Sequence, residues 1–131
     1  MSAKVLASLR SDPSVTFTGP VDKVELYYSL IDVLLLPSYR EGFPNAPLEA
    51  AAMCKPCITT DVLGCCDAVV HLETGLVVPV RNAPALGQAM LRLATDPDLR
   101  HRMGRAARER ALADFNPQAI ARELLTLAVE G

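Results

Sequence analysis

At 131 residues, half of them hydrophobic, the chain has the size of one compact domain and no room for a second of comparable size. A formal net charge of -2, three Phe, three Tyr and no Trp provide neither a basic footprint nor a base-stacking platform, so nucleic acid is excluded as the expected partner. No apolar run reaches the roughly 18 residues that would span a bilayer, and Met1 to Lys4 does not open a signal-peptide core, so a cytoplasmic location is expected.

In chain order, Ala3 to Arg10 reads as the tail of a helix and Ser11-Asp12-Pro13-Ser14 as a turn. Four short apolar runs follow, Val15 to Thr18, Val33 to Leu36, Cys57 to Thr60 and Leu76 to Val78. They are continuous and rich in branched residues, as strands of a parallel sheet buried on both faces should be. Helical stretches separate them at Asp22 to Leu30, at Pro47 to Cys54 and, briefly, after Cys66. The β-α-β-α-β order predicts an α/β fold, a Rossmann-like doubly wound parallel sheet forming a single domain over residues 1 to 131. No strand is read before Val15, so the domain is expected to be truncated on its N-terminal side.

Three further helices are predicted, Ala83 to Ala94, Pro97 to Ala113 and Pro117 to Val129, each opened by an Asn, Asp or Pro start signal. At about 100° per residue, Leu99, Met103 and Ala106 share one face of the second helix, with Arg102, Arg105 and Arg108 opposite. This is the pattern of a solvated amphipathic helix; peripheral association with a membrane surface is the other use such a face can have. Cys54-x-x-Cys57 and Cys65-Cys66 lack the two paired knuckles of structural zinc, and adjacent cysteines ligate one ion poorly. Reduced structural thiols and no bound metal are expected.

The chemistry is concentrated in Arg40 to Glu49, which joins the carboxyl end of the second strand to a helix starting near Pro47. Ligands of open α/β sheets bind at such places. Gly42 allows close approach of the backbone to a ligand, and the amides of Gly42, Phe43, Asn45, Ala46 and Leu48 precede or open a helix whose positive end favours a diphosphate. Pro44 and Pro47 lack an amide hydrogen but stiffen the loop. Glu41 and Glu49 flank it. A carboxylate at Glu49 can accept two hydrogen bonds from a vicinal diol such as a ribose, with Glu41 nearer a sugar at the far end. Helix capping by Glu49 and a solvated charge at Glu41 are the alternatives, and both stay open on these residues alone.

The segment Glu41 to Glu49 resembles the E-x7-E motif, with its G-F-P-x-x-x-L-E core, of the large retaining GT-B glycosyltransferase family that includes bacterial capsule and lipopolysaccharide sugar transferases. The resemblance runs upstream through Phe17-Thr18-Gly19-Pro20-Val21 and the strand Asp32 to Ser38. Downstream it takes in Lys55-Pro56, Thr59-Thr60-Asp61-Val62, Gly64-Cys65 and Thr74 to Pro79. It implies a nucleotide-sugar donor, most often a UDP-sugar, bound in the C-terminal half of a two-domain enzyme without a metal or other cofactor. By the same resemblance Glu49 holds the ribose, Glu41 lies by the donor sugar as the residue most tied to catalysis, and the amides of Phe43 to Ala46 contact sugar and phosphate. The turn at Gly19 to Asp22, including Val21, would lie beside the base.

The acceptor, a saccharide or a lipid-linked one, and the Arg and Lys that neutralise the diphosphate belong in that family to earlier units, so this chain is expected to be incomplete as an enzyme. Two positions depart from the family: Cys54 stands where glycine is common, and Cys66 where a basic residue is common. The alternatives are a stand-alone nucleotide-sugar-binding module or one subunit of a split transferase. A phosphoacceptor domain using Asp61 lacks the acidic pair near the first strand that would hold its cation. A nicotinamide-binding domain lacks G-x-G-x-x-G after any strand.

Overall fold

The computed structural model describes residues 3–19, 22–37, 45–62 and 68–114. Strands β1 (Leu34–Leu36), β2 (Cys57–Thr60) and β3 (Gly75–Val78) form a parallel sheet in the order β1-β2-β3. Leu34 lies opposite Cys57, and Cys57 opposite Gly75. Around the sheet lie α1 (Ala3–Ser11), α2 (Val24–Leu30), α3 (Asn45–Ala52), α4 (Ala83–Thr95) and α5 (Pro97–Asp114). Among the described residues no helix is long and apolar enough to cross a membrane.

Alternation along the strands sorts the core into two sides. Ile58, Leu76 and Val78 meet Ala89 and Leu93 of α4 and Leu99 and Met103 of α5. Cys57, with Leu34, Leu36 and Val77, meets Ala68 and Val69 on the opposite side. The sheet is therefore covered on both faces, as its unbroken apolar strands require, and the doubly wound α/β expectation holds. Ile58, Leu93 and Met103 are among the largest wholly buried side chains, each contributing about 1.5 to 3 kcal/mol.

The start signals of the last two described helices act as the sequence predicts. Asn82 Oδ1 accepts from the Ala85 amide at 3.0 Å, and Asp96 Oδ1 from the Leu99 amide at 3.0 Å. Leu99 and Met103 of α5 are buried and Arg102, Arg105 and Arg108 exposed. The arginines are nonetheless not all solvated. Arg100 donates to the Leu93 carbonyl at 2.7 Å, Arg110 to that of Ala68 at 3.0 Å, and Arg108 to that of Ala52 at the end of α3.

The expected strand Val15 to Thr18 does not form. The segment belongs to no ladder among the described residues; Thr16 to Thr18 are exposed, and Phe17 lies under the Arg10 guanidinium, 5.3 Å from its ring centre. Topology accounts for this. In a doubly wound sheet of order 3-2-1-4-5-6, three parallel strands side by side in chain order match the 4-5-6 half, and the strand preceding them in sequence belongs on the far edge. Neither intervening strand is among the described residues, so among them the segment meets no strand to pair with. The short helix expected after Cys66 falls largely outside the described residues, as do Cys65 and Cys66 themselves and the whole helix Pro117 to Val129.

The other end of α3 closes in a Schellman motif. The Cys54 amide donates to Ala51 O at 3.0 Å and the Lys55 amide to Ala50 O at 2.9 Å, with Cys54 in the left-handed region at φ 61°. Helix α5 crosses directly over this turn: a Cβ added at Gly104 would overlap the Cys54 carbonyl oxygen. The small side chains of Ala51, Ala107 and Ala111 continue the close contact between α3 and α5.

Candidate functional site

The crossover from β1 through α3 to the parallel strand β2 puts the start of α3 at the carboxyl edge of the sheet. That edge is tied together across the strands. Thr59 Oγ1, wholly buried, donates to Leu36 O at 2.9 Å, and the Asp61 amide donates to Val78 O at 2.8 Å.

Helix α3 begins at Asn45, two residues earlier than expected. Pro47 occupies the third helical position, where the missing N–H would have no partner within the helix anyway, so it is tolerated inside the first turn. The amides of Asn45, Ala46 and Leu48 belong to that turn, whose donors point out of the helix end. Ala46 and Leu48 are half-buried and Pro47 is buried.

Glu49 is the fifth helical residue and lies just past the first turn. The place of a capping glutamate, three residues into the helix, belongs to Pro47. Glu49 is half-buried and accepts through Oε2 from the Tyr28 phenol of α2 at 2.9 Å. Tyr28 is only 6% exposed. Burial, then the hydrogen bond and negative charge of Glu49, with a contribution from Cys57, hold its phenol well above the ordinary tyrosine range. One turn earlier in α2, Glu25 keeps its Oε2 buried without a hydrogen-bond partner among the described residues.

Among the remaining expected residues, Gly19 is described. It is exposed, at φ 63°, and a Cβ there would meet nothing within 4 Å, so its glycine serves the left-handed backbone rather than close packing. Val21 and Glu41, Gly42, Phe43 and Pro44 lie outside the described residues. Cys54 is exposed and Cys57 buried.

Residues 4–110 match the family model of glycosyl transferases group 1. The chain belongs to this family. CapM of Staphylococcus aureus, a capsular polysaccharide biosynthesis glycosyltransferase, is 35% identical over 116 residues, 88% of this chain and 30% of its own length. The D-inositol 3-phosphate glycosyltransferase of Pseudarthrobacter chlorophenolicus is 38% identical over 110 residues, 82% of this chain and 26% of its own length. The sucrose-phosphate synthase of Thermosynechococcus elongatus superimposes with a TM-score of 0.82 at 35% identity, over 97% of this chain and 32% of that one. The chain thus spans under a third of the length of these relatives. Its Rossmann-like α/β architecture is that of a group 1 glycosyltransferase C-terminal domain of the GT-B type.

Tyr28 escaped the sequence analysis. A buried tyrosine needs an acceptor for its hydroxyl, which was a signal, but nothing in the pattern named an acceptor 21 positions away.

Proposed function

We propose that this group 1 glycosyltransferase domain binds the donor, a nucleotide sugar of the UDP-sugar type, for transfer with retention to a saccharide or lipid-linked acceptor engaged by the rest of the enzyme. The observation that carries this reading is the position of α3. Its amino end stands at the carboxyl edge of a parallel sheet, with the Asn45, Ala46 and Leu48 amides in its first turn and Glu49 half-buried beside them. The helix end supplies partial positive charge and the amides supply donors, which suits a diphosphate both as bound substrate and as leaving group. Charge that develops on the departing diphosphate would then meet dipoles already in place, the largest source of rate enhancement in sites of this kind. Glu49 accepts from the ribose hydroxyls, and Glu41 lies by the sugar. No step requires a metal, and a cytoplasmic location suits a nucleotide-sugar donor.

Titration of Glu49→Gln and Glu41→Gln with UDP and one UDP-sugar tests this, with and without EDTA. Glu49→Gln should weaken both ligands together by about 1 to 3 kcal/mol, the charge-assisted part of its hydrogen bonds. Glu41→Gln should leave UDP nearly unchanged and reduce only the added affinity conferred by the sugar. EDTA should alter neither. Unchanged binding in both variants, or binding that vanishes with EDTA and returns with magnesium, would sink the reading.

A further inference from the structure

We infer that Tyr28 is a positioning residue, holding the Glu49 carboxylate by one oxygen so that the ribose hydroxyls of the donor meet an acceptor already oriented. The inference rests on the reading of Glu49 just given and deepens it. Three observations support it. The phenol donates to Glu49 Oε2 at 2.9 Å, within the ordinary O–H···O range. The tyrosine is itself 6% exposed and has only two rotatable side-chain bonds, so it is a rigid anchor, whereas a half-buried glutamate has three bonds to fix. The bond also spans two helices, α2 and α3, which makes it independent of local helical geometry.

A carboxylate offers about four acceptor positions, and the phenol takes one of them. The remaining directions, set by the tethered oxygen, are then presented in a fixed plane. Loss of the tether would leave the carboxylate less well ordered, and the cost of ordering it on binding would appear as lost affinity for any ligand that uses it.

A purely structural role, pinning α2 to α3, predicts something different, and the ribose diol separates the two. UDP and 2′,3′-dideoxy-UDP are titrated into the unmodified chain, Tyr28→Phe, Glu49→Gln and the double variant, below the melting temperature of each. The unmodified chain should prefer UDP. Tyr28→Phe should lose roughly five- to tenfold toward UDP and nothing toward the dideoxy ligand, an effect of the size of one ordinary hydrogen bond. The double variant should bind UDP no more weakly than Glu49→Gln alone, because Tyr28 acts only through Glu49. Equal weakening of both ligands, an unchanged preference for UDP in Tyr28→Phe, or additive losses in the double variant would overturn the inference while leaving the donor site standing. If the unmodified chain binds the two nucleotides equally, the ribose role of Glu49 fails first and the inference fails with it.

Discussion

The phenol of Tyr28 carries a pH signature as well as a geometric one. Its neutral form is favoured in the folded chain by burial and by the adjacent Glu49 carboxylate, whereas in the unfolded chain a tyrosine ionises near 10. A group whose folded value is raised contributes stability that is fully present below about pH 10 and is lost as pH climbs above it. Melting temperatures measured from pH 8 to 11 should therefore fall more steeply for the unmodified chain than for Tyr28→Phe. Parallel slopes would mean that this phenol is not held neutral by its surroundings. Residues of this kind mark the limit of what the sequence could disclose. The candidate loop and its two glutamates stood out as a proposal because a glycine, two prolines and two carboxylates cluster at one junction of the sequence; of them Pro47 and Glu49 lie among the described residues. Tyr28 and the buried oxygen of Glu25 were not, since what matters about them is which groups the fold brings alongside.

At the scale of elements, the junction of α3 and α5 invites two opposed substitutions. Cys54 adopts a left-handed conformation that costs a residue with a Cβ about 1 to 2 kcal/mol, so Cys54→Gly should raise stability, by about 1 kcal/mol after the glycine's greater unfolded-state freedom is counted. Gly104→Ala should do the reverse. Alanine gains about 1 kcal/mol of helix propensity, but its Cβ would overlap the Cys54 carbonyl, and overpacking of this kind costs typically 1 to 3 kcal/mol or more. Gly87→Ala in α4 is the control, because a Cβ there meets nothing within 4 Å, and it should stabilise by about 1 kcal/mol. Denaturant midpoints for the three variants decide the matter; a stabilising Gly104→Ala would contradict the close crossing of α5 over the turn. Helix starts were the most readable elements, because Asn82 and Asp96 act through bonds only three residues long. The strand at Val15 to Thr18 misled for the opposite reason: branched residues express a preference for extended backbone, but a strand exists only where a neighbour supplies the ladder.

At the scale of the whole molecule, the α/β class and the parallel sheet were legible because fully buried strands leave continuous apolar runs that no surface element tolerates. The chain matches under a third of the length of each compared relative, and that third holds the whole of the three-stranded sheet. The sheet's connectivity also has a consequence in time. Each ladder closes only across an intervening crossover, from Leu34 to Cys57 and from Cys57 to Gly75, whereas α4 and α5 are separated by the single residue Asp96 and pack together on Leu93, Leu99 and Met103. Loop closure must be completed before distant strands reward each other, so the helical pair can assemble while the sheet is still searching for its register. Pulsed hydrogen exchange during refolding should find amides of α4 and α5 protected before those of β1 and β2. Simultaneous protection would show instead that the helices wait for the sheet, with Ile58 and Leu76 acting as the template on which the pair condenses.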